Sequence, residues 1–176
     1  MRHNSNCCNQ NRCYHNDRDF SPSDKCIASR EPHGYLFMNQ CDVFAALSTT
    51  AQTVTGTAVT PLTLSNILYQ YGTSIQAATG ASSICITKPG LYQISYTIAA
   101  TNTDTVTPGT FTSYLLCDKT QVATATATVA TGTSGILSDT ELFYVSCKDL
   151  PLTLSLNVTS TAATSSYFFN ITINRM

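Results

Sequence analysis

The sequence predicts an all-β protein built as a sandwich or jelly roll, and three observations carry this prediction. Apolar and polar residues alternate over several segments, turn-forming glycines and prolines recur between them, and no stretch has helical periodicity. A period of two is expected of half-buried strands. About eight to ten short strands separated by such turns are typical of a sandwich or jelly roll.

The alternation is clearest in residues 92–98, 152–158 and 167–173, where every second side chain is apolar. Aromatic residues at regular alternate positions indicate the core, although the axis of an oligomer would use the same residue types. The sequence leaves both roles open, as core or as trimer interface, for four aromatic residues: Tyr92, Tyr96, Tyr167 and Phe169.

Residues 122–129 alternate alanine with threonine between two valines. Threonine is β-branched, which favours strands and gives a wet surface without charge. We predict a strand here, with the alanines on one face and the threonines on the other. A loop of simple sequence is the alternative.

The chain changes composition near Tyr35. Residues 1–35 contain all three histidines, half of the eight cysteines and no threonine, and they have few apolar side chains. A segment of this kind cannot offset the entropy of ordering its backbone by burying apolar surface. We therefore predict two regions: a cysteine-rich, extended or flexible N-terminal connector arm over residues 1–35, and a β domain over residues 36–176.

Composition excludes several functional classes. Only 11% of the residues are charged and the formal net charge is -1, which is not the basic footprint of a nucleic-acid-binding protein. No apolar run approaches the roughly 20 residues of a membrane helix, and the polar N-terminus does not read as a signal peptide.

The sequence also offers little for catalysis. Residues 36–176 contain no histidine, so no Ser-His or Cys-His pair can form there. Asp139 and Glu141 could point the same way and bind calcium with loop carbonyls, but two carboxylates are thin evidence, and a solvated turn is the better interpretation. We predict no enzyme activity, no cofactor and no metal.

The arm cysteines are the sharpest local feature. Adjacent cysteines such as Cys7 and Cys8 bond to each other only with strain, whereas they can bond to two different partners. Cross-links between subunits through Cys7, Cys8, Cys13 or Cys26 are our first interpretation. An intrachain Cys13–Cys26 disulfide and a metal site that includes His15 are the alternatives.

The other four cysteines, Cys41, Cys85, Cys117 and Cys147, lie in or beside predicted strands. Such cysteines commonly pack as small buried hydrophobic residues. Cys85 alternates with Ile84 and Ile86, so one face of that strand presents sulfur. We add Cys85 to the candidates for an intersubunit disulfide, as the acceptor of a neighbour's arm cysteine.

The segment from Ile84 to Tyr96, which contains Pro-Gly-Leu-Tyr between two strands, resembles the complement globular-head and tumour-necrosis-factor-like superfamily. The resemblance covers roughly residues 36–176. Further blocks match in order: residues 44–47, 67–69, 110–116, 140–145, 152–158 and 167–173.

This resemblance implies a ten-stranded jelly roll that packs as a tight homotrimer. Some members form the heads of collagen-like proteins on bacterial spores, but this chain has the cysteine-rich arm where those proteins have a Gly-X-Y stalk. The chain is more similar to the jelly-roll subunits of endospore appendages, which join neighbours through N-terminal cysteines.

We therefore expect a structural subunit of a disulfide-linked fibre on the spore surface, delivered by lysis of the mother cell rather than by secretion. The expected partners are further copies of the chain, a spore-surface anchor protein and a tip protein, with no nucleic acid and no membrane. The alternative function is a receptor- or carbohydrate-binding head at a fibre tip. An exposed aromatic or carboxylate cluster in the apical loops would favour that alternative.

Overall fold

The structure is a computed structural model that describes residues 28–30, 36–38 and 42–176; for the first two segments only the backbone is described. The described residues form fourteen strands and one turn of 3-10 helix, Cys147–Asp149. The strands are β1 (Ala28–Arg30), β2 (Leu36–Met38), β3 (Val43–Leu47), β4 (Gln52–Thr55), β5 (Thr60–Pro61), β6 (Asn66–Tyr71), β7 (Ile75–Gln76), β8 (Ile84–Ile86), β9 (Gly90–Asn102), β10 (Gly109–Cys117), β11 (Thr120–Val129), β12 (Ser134–Val145), β13 (Leu152–Ser160) and β14 (Thr164–Arg175).

Two antiparallel sheets make up the sandwich. Sheet I has the order β12-β9-β14-β3-β6, with β4 also paired to β14. Sheet II has the order β11-β10-β13-β8-β7, with β5 also paired to β13. The two paths contain ten strands, so the predicted all-β class and the ten-stranded sandwich are confirmed, with β4 and β5 as short additions. Strands β1 and β2 pair only with each other among the described strands.

The core lies between the two sheets and follows the alternation of the sequence. Along β9 every second residue from Tyr92 to Asn102 is buried. Strand β11 confirms the strand predicted from alternating alanine and threonine. Ala123 is buried and Ala125 and Ala127 pack against the core, whereas Thr124 and Thr126 are exposed.

The register of the strands places the loops at two ends of the sandwich. At one end, Val43 pairs with Asn174 and Gly90 pairs with Val145, beside the turn between β10 and β11. We call this end the arm pole, because the sandwich begins there, at Asp42 and Val43, directly after residues 1–41. The far pole contains the loops 103–108, 130–133 and 161–163.

The predicted arm lies largely outside the described residues. Of residues 1–35, only Ala28–Arg30 is described, and its backbone pairs with Leu36–Met38. The boundary at Tyr35 therefore remains a prediction. The part of the chain that the structure describes contains no helix long and apolar enough to cross a membrane.

Candidate assembly surface

The four aromatic residues singled out from the sequence all lie in the core. Tyr92 and Tyr167 are fully buried, Tyr96 is 2% exposed and Phe169 is 4% exposed. Burial raises the pKa of all three tyrosines. Of the two roles that the sequence left open, the structure assigns them the core of their own chain.

Each buried hydroxyl of these tyrosines has a hydrogen-bond partner. The Tyr92 hydroxyl donates to the Lys88 carbonyl at 2.7 Å, and the Tyr96 hydroxyl lies 3.1 Å from Ser113 Oγ. The Tyr167 hydroxyl accepts from Ser165 Oγ at 3.1 Å. Buried polar groups that are hydrogen-bonded cost little stability.

The cysteine predictions are only partly covered by the structure. Cys7, Cys8, Cys13 and Cys26 lie outside the described residues, as does Cys41. Cys85 is 2% exposed in β8, beside Thr153 of β13. Its role in a disulfide between subunits stays a prediction.

Two further cysteines differ in their exposure. Cys117 is 8% exposed at the end of β10, whereas Cys147 is exposed in the 3-10 turn. Desolvation, with a smaller effect of the Asp118 charge, raises the pKa of Cys117 to about 12. A thiol with this pKa stays protonated and unreactive at neutral pH.

The carboxylates considered for calcium lie within strand β12, on its core-side face, so the interpretation as a solvated turn was wrong. Asp139 pairs with Tyr96 and Glu141 with Ile94, and both are half-buried. No group of three or more histidine, cysteine, aspartate or glutamate residues within the described part of the chain is placed to hold a metal ion.

The outer face of sheet I carries large exposed apolar side chains. Ile136, Leu142 and Tyr144 of the edge strand β12 are 60%, 59% and 55% exposed. The register places them on the side opposite the core, because their neighbours Leu137 and Val145 are buried. Four more exposed residues share this outer face, which we call the sheet I face: Leu91, Phe168, Tyr69 and Tyr71.

The sheet I face extends across the full width of the sheet without a charge. One row runs from Leu142 through Gln93, Asn174 and Val43 to Tyr71, one residue from each of five strands. No described residue whose side chain lies on this face is an aspartate, glutamate, lysine or arginine. Burying such a surface would desolvate no ion.

Hydroxyl groups at the centre of the sheet I face are already paired with protein groups. Thr140 Oγ1 donates to Ser95 Oγ at 3.0 Å, and Thr172 Oγ1 donates to the Ser95 carbonyl at 3.5 Å. Since these hydroxyls have partners within the chain, covering the face would not leave them unsatisfied.

The outer face of sheet II has a different chemistry. It is rich in threonine: the hydroxyls of Thr112 and Thr126 on neighbouring strands are 3.3 Å apart, and Thr159 donates to the Thr57 carbonyl at 2.7 Å. Its large apolar side chains, Tyr114 and Leu116, are half-buried rather than exposed. The two outer faces therefore differ sharply in their suitability for burial.

Several solved structures are similar to this chain. PRD1 vertex protein P5 is 23% identical, covers 77% of this chain and 96% of its own, and has a TM-score of 0.56. Eiger TNF from S. frugiperda is 9% identical with a TM-score of 0.55, covering 78% and 93%. The chain has the tumour-necrosis-factor-like jelly-roll fold. The globular domain of the zebrafish complement 1qA protein is similar as well, with 15% identity, a TM-score of 0.50 and coverage of 74% and 94%. No protein-family model and no curated protein matches the chain at a significant level.

Sequence reasoning missed the exposed apolar residues on the outer face of sheet I. Phe168 alternates with Tyr167 and Phe169, and Leu142 and Tyr144 alternate with Glu141 and Phe143. The signal was an apolar residue on the face that alternation assigns to solvent. Contiguous exposed apolar side chains of this kind are typical of interaction surfaces.

Proposed function

We propose that this protein is a structural subunit whose jelly-roll heads associate through the sheet I face, and whose N-terminal arms join the assembled heads into a fibre. The observation that carries the proposal is the uncharged apolar surface across all five strands of sheet I. The proposal assigns no catalysis to the chain.

Self-association explains the sheet I face better than solvent exposure does. Monomeric soluble proteins rarely expose large contiguous apolar patches, and aromatic residues are enriched in the buried centres of protein interfaces. Phe168, Tyr69, Tyr71 and Tyr144 supply such aromatic residues. A second copy of the chain presents the same uncharged surface, so no charged group would be buried on either side.

Three copies per assembly is our specific proposal, and it comes from the resemblance to the complement-head and tumour-necrosis-factor-like superfamily. The similarity to a protein described as a vertex protein supports an architectural role. The arm joins the head at the arm pole, where Asp42 lies beside Arg175 at the end of β14. Three arms per trimer would then extend from the same end.

The finer proposal places the fibre on a bacterial spore, joined through arm cysteines, with an anchor protein at the base and a tip protein at the end. An uncharged, threonine-rich outer surface on sheet II supports a durable structural material. Disulfides form in oxidising surroundings, which a protein released by lysis of the mother cell would meet.

Replacing Leu142 or Phe168 by aspartate tests the assembly surface. We expect the reduced full chain to sediment as a trimer at micromolar concentration, and either variant to sediment as a monomer. The reason is that a desolvated unpaired carboxylate at an interface costs several kcal/mol, roughly enough to shift the association constant by more than 100-fold.

The matched control is Thr126→Asp, which introduces the same charge on the exposed face of sheet II. This variant should remain trimeric. A wild-type chain that sediments as a monomer, or a Thr126→Asp variant that dissociates like Leu142→Asp, would overturn the proposed surface.

The alternative function, a binding head, is less well supported by the described loops. The far-pole loop 103–108 contributes one carboxylate, Asp104, and its oxygens accept hydrogen bonds from the Val106 nitrogen, Thr107 Oγ1 and the Ala163 nitrogen. These bonds lower the pKa of Asp104 and occupy it within the loop. Residues 42–176 therefore present no exposed carboxylate or aromatic cluster at this pole.

A further inference from the structure

Asp42 links the point where the chain enters the head to three other segments. Asp42 is 6% exposed. Its backbone carbonyl oxygen accepts a hydrogen bond from the Arg175 backbone nitrogen at 2.9 Å. Asp42 Oδ1 accepts from the Thr73 nitrogen at 3.1 Å, and Oδ2 accepts from Ser74 Oγ. Arg175 Nη1 lies 3.9 Å from Oδ2.

Arg175 connects Asp42 to a third segment, the turn before β9 that contains Pro89. Its Nη2 and Nε donate to the Pro89 carbonyl at 2.8 and 3.2 Å, and the Met176 nitrogen donates to the Leu91 carbonyl at 2.8 Å. Asp42 is thereby connected to the β6–β7 turn, to the end of β14 and to the turn before β9. We call these residues, Asp42, Thr73, Ser74, Pro89 and Arg175, the Asp42 cluster.

The adjoining backbone leaves space for the Asp42 cluster. A Cβ on Gly72, which has a φ of +84°, would overlap Asp42 Oδ1. A Cβ on Gly90 would lie 2.9 Å from Arg175 Nε. Glycine at both positions allows the carboxylate and the guanidinium to approach the turns closely.

A pull on the arm would reach the head at the start of a short strand of sheet I. Strand β3 has five residues, and its first pairs are Val43 with Asn174 and Val43 with Tyr71. Without the Asp42 cluster, force from residues 1–41 would act first on these backbone pairs at the end of a short strand. Hydrogen bonds to a charged group are stronger than neutral ones, so the Asp42 carboxylate is suited to take that force.

We propose that the Asp42 cluster is the mechanical anchor of the N-terminal arm, distributing tension from the arm over three segments before it reaches the β3 ladder. This role rests on the proposed use of the arm as a connector. It gives a role to the buried carboxylate and its arginine at the arm pole, the end of the sandwich that carries residues 1–41.

Force spectroscopy on single heads of the reduced full chain tests the anchor. One handle is attached to an N-terminal tag and the other to a clickable amino acid at exposed Ala130, at the far pole. In a second geometry the first handle is moved to exposed Lys119, so that the arm bears no load. Asp42→Asn should shorten the lifetime of the head at constant load roughly 10- to 100-fold when the arm is pulled.

The same variant should change the lifetime much less in the Lys119 geometry. The second variant is Ser74→Ala, which removes only a hydroxyl donor. It should shorten the lifetime of the head by a smaller factor than Asp42→Asn does, and again more when the arm is pulled than in the Lys119 geometry. Asp104→Asn is the matched control, since this hydrogen-bonded carboxylate lies at the far pole. Equal losses in both geometries for Asp42→Asn and Ser74→Ala would overturn the anchor and leave only a general stabilising role.

Failure of the anchor and failure of the connector are distinguishable. Fibre formation by oxidised wild-type chains reports on the connector, whereas the pulling measurement uses single reduced heads. Fibres of normal length from wild type, together with lifetimes that do not depend on the pulling geometry, would reject the anchor alone.

Discussion

At the scale of single residues, Gly72 is the glycine, among those that the structure describes, where an added Cβ would collide most severely. An alanine there must adopt a positive φ, which costs about 1–2 kcal/mol, and its Cβ would collide with Asp42 Oδ1. Displacing a buried hydrogen-bonded carboxylate should add roughly 1–3 kcal/mol. We expect Gly72→Ala to lower the free energy of unfolding by the sum, measured by urea denaturation at fixed protein concentration.

Gly56→Ala provides the matched control for this prediction. Gly56 also has a positive φ, +79°, but a Cβ there would meet nothing within 4 Å. Gly56→Ala should lower the free energy of unfolding only by the cost of the positive φ. Equal losses for the two variants would show that Asp42 moves aside without penalty.

Buried thiol and phenol groups make the head sensitive to alkaline pH. Burial raises the pKa of Cys117 to about 12, whereas an unfolded thiol titrates near about 8.5. Above that lower value the native state holds more protons than the unfolded state, so stability falls as the pH rises towards 12. Tyr92, Tyr96 and Tyr167 act in the same direction, since their pKa values are also raised.

Urea denaturation between pH 8 and pH 11 under reducing conditions measures this effect. The free energy of unfolding should decrease with pH, and it should decrease less steeply for Cys117→Ala, which lacks the contribution of the Cys117 thiol. Parallel pH profiles for the two proteins would mean that Cys117 titrates normally in the folded head.

At the scale of elements, the β10–β11 hairpin has a turn whose second central residue, Lys119, does not match its backbone, whereas aspartate is common at the first position. Asp118 and Lys119 have φ values of +45° and +76°, as a two-residue type I′ turn requires. Glycine is favoured at such positions. We expect Lys119→Gly to raise the free energy of unfolding by up to about 1 kcal/mol, because it removes strain that exceeds the added entropy of the unfolded chain.

Lys88→Gly is the control for the turn prediction. It removes the same charge from an exposed position, but Lys88 is not among the described residues with a positive φ. This variant should be neutral or destabilised. If chemical denaturation shows equal changes for both, the effect belongs to the charge and not to the turn.

At the scale of the whole molecule, the arm prediction concerns residues that lie outside the described part of the chain. Replacing Cys7, Cys8 and Cys13 together by serine should leave the heads assembled and abolish long fibres that resist denaturant. The physical reason is that covalent ties hold a flexible arm without the repeated entropic cost of docking. Electron microscopy and non-reducing electrophoresis measure the outcome, and normal, resistant fibres from this variant would favour the binding-head alternative.

Local patterns in the sequence predicted the all-β class of this protein and which side chains share one face of each strand, although they left core and interface open for the aromatic residues. Alternation is a local property of an extended chain, so Tyr92, Tyr96, Tyr167 and Phe169 could be assigned to one side of their strands. The alanine and threonine faces of β11 followed for the same reason. Pairing order is not local, since it depends on contacts between residues far apart in sequence.

Only the tertiary structure showed that β12 and β6 flank β9, β14 and β3 in one sheet. This order brings Leu142, Phe168 and Tyr71 onto one surface, although each looks like an isolated exposed residue in the sequence. It likewise brings Asp42 beside Ser74 and Arg175, from three separate parts of the chain. The alternation of side chains is encoded within each strand, whereas a surface that spans five strands exists only once the strands have paired.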